Sequence, residues 1–261
     1  MKLTHLSATL LLGLALATNG CSSETGDDTE SASSELNAKL SPAELAATKK
    51  QLRAIAYANI ANMDNTDEVR AQVEPLVQKL ARHYGVKTAQ QKLATVKGAW
   101  RQIWSDFPYP EAPFIKMDPE QVYQVVTDQG YYVNLGDSRA IGIFGITGVL
   151  RGAYVPNGTK LNVRFTKSAF RFGTLGRGED LYDLATGLES GERFSLGLPG
   201  GGKAPKGPVG ISGTLETLYV DADLRIDRGT QDDFVDASGK VLVPGVGPKY
   251  FILDRVTTPV K

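Results

Sequence analysis

The sequence predicts a mainly β protein of α+β order: a helical N-terminal segment, then roughly eight to ten short antiparallel strands forming a barrel or a sandwich. Three observations predict it. Over residues 42–97 the apolar side chains recur at helical spacing. From Trp100 onward the period is two, in short segments rich in Val, Ile, Tyr, Phe and Thr set between Gly, Pro, Asn and Asp. No helical pattern interrupts these strands, which favours antiparallel neighbours over parallel ones with crossover helices.

The helical segment is expected over residues 42–97. Ser41-Pro-Ala-Glu44 places a hydroxyl three residues before a carboxylate, with Pro at the first helical position, and so opens a helix. Leu45, Leu52, Ile55, Tyr57, Ile60 and Met63 share much of one face of it. A second helix starts near Thr66, carries Val69, Val73, Leu76, Val77, Leu80 and Tyr84, and stops at Gly85. Thr88-Ala-Gln-Gln91 repeats the capping pattern for a short third helix that ends by Gly98.

Residues 98–261 are expected to be the β domain, with strands near 99–105, 121–126, 131–135, 140–146, 149–155, 160–166, 168–172, 213–220, 223–227 and 249–255. Asn157-Gly158 can supply the positive φ values of a tight hairpin turn. FSLGLPGGGKAPKGPVG is dense in Gly and Pro and predicts a flexible loop, centred on residues 197–210. No repeat of solenoid or propeller period is present.

Composition and motifs exclude several function classes. Lys+Arg and Asp+Glu both number 29, so there is no electrostatic case for nucleic acid. Gly197-Leu-Pro-Gly-Gly-Gly-Lys203 has phosphate-loop spacing, but Ala204 stands where a hydroxyl is needed and Pro205 prevents the helix that would cradle phosphate. Asp221, Asp223 and Asp227 suggest calcium, yet a helix-loop-helix calcium site fails on Arg225, Ile226 and Asp232 at its fifth, sixth and twelfth positions. Asp221-Ala222 is better placed at a turn, with Leu224 and Ile226 on the core face of the next strand and Arg225 and Asp227 on the other. Beyond the leader His83 is the one histidine, expected on the solvent side of its helix, and Cys21 is the one cysteine. Zinc and Cys-His chemistry therefore lack ligands and partners. No catalytic residue, metal or cofactor is expected.

MKLTHLSATLLLGLALATNG, with Lys2 before an apolar run from Leu10 to Ala17, is laid out as an export signal over residues 1–20, too short to span a bilayer stably. Cys21 follows Gly20 directly and leads into a polar, acidic segment, residues 21–40, expected to be a disordered tether. This resembles a bacterial lipoprotein signal, which implies acylation of Cys21 and a membrane-anchored protein of the cell envelope. Ordinary cleavage, leaving a soluble secreted chain with a free thiol, is the alternative.

GAWRQIWSD (98–106), VYQVV (122–126) and the set Leu215, Tyr219, Asp221, Leu224, Arg225, Ile226, Arg228 and Gly229 follow the helical segment in order. Together they resemble the plastid lipid-associated protein family, also called fibrillins or plastoglobulins. The resemblance implies a lipocalin-like antiparallel β-barrel that binds or coats itself with lipophilic molecules of the lipid, carotenoid or quinone class, without catalysis. Gly98-x-Trp100 is also the opening pattern of lipocalins, whose first-strand Trp closes the barrel floor beneath an Arg from a late strand; Arg225 and Arg255 are both candidates for that partner. By alternation Trp104, Tyr123, Phe165, Phe170 and Tyr219 are expected to point into a ligand cavity, although a slip of one residue reverses each of them. The competing expectations are a structural lipid-coating scaffold with a filled barrel and an isomerase or cyclase built around a buried carboxylate.

Overall fold

The computed structural model describes residues 39–61, 64–108, 115–140, 144–187 and 209–260. The elements run α1 (Pro42–Ala58), α2 (Thr66–Tyr84), α3 (Ala89–Val96), β1 (Gly98–Ser105), β2 (Ile115–Val126), β3 (Tyr131–Ala140), β4 (Phe144–Asn157), β5 (Lys160–Phe172), α4 (Leu181–Gly187), β6 (Ser212–Val220), β7 (Leu224–Gln231), β8 (Phe234–Val235), β9 (Val241–Val243) and β10 (Val246–Arg255). Eight strands close into one antiparallel barrel in the order β1-β10-β7-β6-β5-β4-β3-β2, so the mainly β, lipocalin-like barrel is the fold, and the sandwich is excluded. Closure gives each of the eight strands a neighbour on both sides for at least part of its length. β8 and β9 form a separate small hairpin.

The helix starts follow their side chains. Glu44 N donates to Ser41 Oγ at 3.3 Å while Ser41 N donates to the Glu44 carboxylate at 2.9 Å. Thr88 and Gln91 exchange the same pair of bonds at 3.2 and 2.8 Å, so orphan amides at both helix starts are satisfied. His83 is half-buried rather than solvent-facing, because its Nδ1 accepts from Leu40 N at 3.0 Å.

The barrel strands are fewer and longer than the ten segments the sequence suggests. The expected 140–146 strand is divided, with Ala140 ending β3 and 144–146 joining 149–155 in β4, which runs through Gly148; 160–166 and 168–172 merge into β5. The register shift beside Thr166 bends the wall there without ending the strand. In the β4–β5 hairpin Asn157 pairs with Lys160, so Gly158, at φ 58°, and Thr159 occupy the turn centre in place of Asn157-Gly158. Helix α4 was not anticipated; Asp180 Oδ1 accepts from Tyr182 N and Asp183 N at 2.8 and 2.9 Å to start it.

Both faces of the barrel wall are covered over much of its circumference. Leu52, Ala56, Val69, Val73, Val77 and Leu80 of α1 and α2 pack on the outside of β1, β6, β7 and β10 through Ile103, Tyr219, Leu224, Ile226, Tyr250 and Ile252. Leu181, Leu184 and Ala185 of α4, with Leu175, cover the outside of β2, β3 and β4 through Val125, Tyr131, Val133, Leu135 and Val149. A third cluster fills one end of the barrel, where Ala89 and Val96 of α3 meet Trp100, Val126, Tyr132, Tyr154, Leu161, Val163, Val220 and Leu253. That end is the floor. The other, where β3, β4 and β5 run on, is the mouth. Among the described residues no helix is long and apolar enough to cross a membrane.

Candidate functional site

The floor is built where the first barrel strand leaves α3. Trp100 is fully buried, and its Nε1 donates to Val96 O at 2.7 Å, satisfying one of the carbonyls left open at the end of α3. Arg255 lies over the indole at 4.0 Å and Arg225 at 5.3 Å. Arg255 donates to Lys97 O at 2.9 Å, to Ala222 O at 2.8 Å and to Thr95 O, which ties the end of α3 to the β6–β7 turn. Gly98 is needed beneath it. A Cβ there would stand 2.7 Å from Arg255 Nη1, on a backbone at φ 120° that side chains disfavour. The structure thus brings Gly98, Trp100, Arg225 and Arg255 together at one end of the barrel.

Above the indole lies a polar layer. Arg225 and Asp227 project into the barrel and are 0% and 1% exposed. Arg225 Nε and Nη2 donate to Asp227 Oδ2 at 2.8 and 2.6 Å, and Thr217 Oγ1 donates to Oδ1 at 2.7 Å. Across the lumen Arg225 Nη2 also donates to Gln124 Oε1, and Gln124 Nε2 donates to Asn134 Oδ1 at 3.0 Å. One chain of hydrogen bonds therefore crosses from β6 and β7 to β2 and β3. Asp227 is the buried carboxylate a catalytic reading requires, but three donors already occupy it. Burial pushes the Tyr132 hydroxyl far above its ordinary range, so the phenol stays neutral.

Toward the mouth the inner wall is apolar, and Phe165, Leu215 and Phe251 pack down on the floor cluster. By register Leu150, Phe165, Phe170, Leu215 and Phe251 face inward, and all five are only half-buried. Gly136 and Gly148 share a row with Phe170, and nothing described lies within 4 Å of where a Cβ would stand at Gly136. Phe165 meets Tyr132 edge-on at 6.4 Å. At the rim Phe144 and Phe172 are 57% and 59% exposed.

Of the five expected cavity residues, Phe165 and Phe170 lie on the inner face; Trp104, Tyr123 and Tyr219 lie on the outer one. The reasons differ. A bulge between Gln102 and Trp104 turns Trp104 out beneath α1 and α2. A bulge between Thr217 and Tyr219 does the same to Tyr219, which meets Tyr84 at 5.6 Å. Tyr123 is out of phase because Gln124, its polar neighbour, is the residue opposite Trp100; its hydroxyl donates to Gln121 at 2.7 Å and accepts from Val260 N at 2.8 Å. The expected outward face of Arg225 and Asp227 is corrected too, since that face is the barrel interior. The interior polar layer, missed from sequence, had a signal: Gln124 and Arg225 each sit between apolar residues in short strands.

Outside the barrel, the rest of the acidic cluster is a fastening. Lys49 donates to Asp221 at 2.7 Å and also to Asp223; Arg53 Nε donates to Asp254 at 2.7 Å and Arg53 Nη1 to Asp223 at 3.2 Å; the Tyr57 hydroxyl donates to Asp254 at 2.6 Å. Glu216 is held by Arg228 and Thr159 at 2.6 and 2.9 Å. A cleft of about 250 Å³ at the β2–β3 bulge, lined by Asp118, Gln121, Asp137, Ser138, Arg139 and Thr174, contains none of the expected site residues. Among the described residues no group of three or more His, Cys, Asp or Glu is placed to hold a metal. Cys21, the export signal, the tether and nearly all of the Gly/Pro loop lie outside the described residues.

No curated protein matches the chain. The family model PAP_fibrillin matches residues 46–235, from within α1 to the end of β8, and on that match the chain belongs to the plastid lipid-associated protein/fibrillin family.

Proposed function

We propose that this protein takes a lipophilic small molecule into the upper half of its barrel and holds it without chemical change, as an envelope lipoprotein anchored through an acyl group on Cys21. Family and fold fit a lipid-associated role without catalysis. The finer reading is carried by one observation: inward apolar side chains above the Arg225–Asp227 layer retain accessible surface, whereas those beside Trp100 do not. An apolar wall that keeps accessible surface above a sealed base is what a molecule of the lipid, carotenoid or quinone class would occupy. Asp227 supports a non-catalytic role, because both oxygens of its carboxylate already accept hydrogen bonds, Oδ1 from Thr217 and Oδ2 from Arg225.

The scaffold reading, in which the protein coats a lipid surface, draws on exposed Phe144 and Phe172. Solvent extraction of protein purified from its native envelope, followed by mass spectrometry, separates the two. A stoichiometric apolar molecule is expected; recovery of nothing beyond N-terminal acyl chains overturns the binding reading. Cys21→Ser is expected to release the protein from membranes, and a variant that remains bound overturns the anchor.

A further inference from the structure

We infer that the base of the lumen is a head-group site, in which Arg225 Nη1 and the Tyr132 hydroxyl receive an uncharged hydrogen-bond acceptor, such as a carbonyl, at one end of an apolar ligand. This rests on the ligand lying in the barrel as proposed above. It adds the ligand's orientation and head chemistry.

Arg225 carries the inference. Its Nε and Nη2 are spent on Asp227 and Gln124, while Nη1 is buried and has no acceptor among the described residues. A guanidinium nitrogen shut off from water without an acceptor costs free energy that a ligand oxygen would recover. Tyr132 extends toward the same layer. Its ring crosses Gly152, with the hydroxyl 3.0 Å from where a Cβ would stand, and both Arg225 and Asp227 act electrostatically on that hydroxyl. It makes no hydrogen bond within the described residues. Two polar groups without hydrogen-bond partners among the described residues therefore lie at the floor end of a lumen whose upper wall is Leu150, Phe165, Phe170 and Phe251.

The charge count selects the head. Arg225 is neutralised in direct contact by Asp227, so the layer offers a donor but no net charge. The other two cations near the floor have turned their donors onto backbone carbonyls, Arg255 onto Ala222, Lys97 and Thr95 and the buried Lys92 of α3 onto Thr217 and Thr159 at 2.7 and 3.4 Å. A carboxylate or phosphate would enter beside Asp227 with no free cation to meet it and would be desolvated at high cost. A ketone, ester or quinone oxygen would not.

The test uses the full chain after delipidation and Nile red as a neutral reporter, displaced by dodecan-2-one, dodecane or laurate. In the native protein dodecan-2-one is expected to bind at least about tenfold tighter than laurate, and the paired variant Arg225→Met/Asp227→Leu, which removes both charges together, is expected to weaken the ketone about tenfold while moving dodecane less than about twofold. Equal losses for ketone and dodecane, no loss for the ketone, or a preference for laurate would each overturn the head-group site while leaving barrel binding intact. Failure of dodecane and ketone alike to displace Nile red, or of Nile red to bind, would instead bring down the binding reading and this site with it. If the paired variant does not fold, infrared spectroscopy of carbonyl-13C dodecan-2-one on the native protein decides. A C=O stretch lowered from its position in hexane is expected, and an unshifted band overturns the site.

Discussion

Gly136 and Gly213 lie in the same barrel wall and make opposite demands. At Gly213 a Cβ would stand 2.0 Å from Thr230 O and 3.0 Å from Thr230 C, both backbone atoms of the paired strand. Neither can retreat without opening the β6–β7 ladder, so Gly213→Ala is expected to cost more than about 3 kcal/mol in urea unfolding. At Gly136 the same atom meets nothing described within 4 Å and projects into the upper lumen. Gly136→Leu is therefore expected to fold with a Tm within a few degrees of native, since a strand tolerates Leu better than Gly, and to bind Nile red at least about tenfold more weakly because it occupies the ligand's space. A Gly136→Leu protein that folds and binds Nile red unchanged would place the ligand elsewhere. The pair separates the glycines that let strands approach from those that leave room for something else.

At the scale of elements, α1 is held by less apolar surface than α2. Its buried residues are Thr48, Leu52 and Ala56, against Val69, Val73, Val77 and Leu80 of α2. The Lys49 and Arg53 pairs with Asp221, Asp223 and Asp254 make up part of the difference, although single pairs this close to solvent contribute only about 0.2–1 kcal/mol each. Burial by itself would raise the Asp221 carboxyl, but its hydrogen bonds with Asp223, Lys49 and Tyr219 hold it well below the usual carboxylate range. A depressed folded-state value means the contribution is complete above the unfolded value of about 3.9 and is lost as pH falls through that value and then through the folded one. For Lys49, burial acts downward and the two aspartates outweigh it, so its share is lost only on the alkaline side, above about pH 10.4. Proteolytic nicking of α1 is thus expected to stay level from pH 7 to about pH 5 and to rise below about pH 4 before the barrel unfolds, and a nicking rate that stays flat down to about pH 2 would show the charges to be incidental. The helices themselves were legible, since Ser41–Glu44 and Thr88–Gln91 satisfy their own amides with side chains close in sequence. Strand positions were legible for the same local reason. Strand phase was not: the bulges before Trp104 and Tyr219 each reverse the faces that follow, and a bulge depends on the neighbouring strand rather than on the residue itself.

Taken whole, the molecule turns the usual polarity of a β-wall around. Helices cover the outside of β1, β6, β7 and β10 and of β2, β3 and β4, so apolar residues such as Ile226, Ile252 and Val133 point outward, while Gln124, Arg225 and Asp227 point in. This inversion explains why alternation in VYQVV misled: the polar residue of that strand belongs to the lumen. The inner chain of hydrogen bonds from Thr217 to Asn134 divides the barrel into a rigid floor, fixed by Trp100 and its two arginines, and a mouth with fewer ties. β5 shows the contrast within one strand. Leu161–Arg164 pairs with β4 on one side and β6 on the other, whereas Lys167–Phe172 pairs with β4 alone among the described residues. Amides bonded on one side open at a lower free energy than amides in a ladder closed on both. Hydrogen exchange of the delipidated protein is therefore expected to run fastest, among the strands, through residues 167–172 of β5, and slowest in β1, β7 and β10 around Trp100. Binding of dodecan-2-one is expected to slow the 167–172 amides while leaving the floor unchanged, because an apolar chain seated on Phe165 and Phe170 braces only the upper wall. Equal protection of the two halves of β5 in the ligand-free protein would remove the mouth as the route of entry, since a lumen sealed at its base by indole and guanidinium can admit a ligand only where the wall opens first.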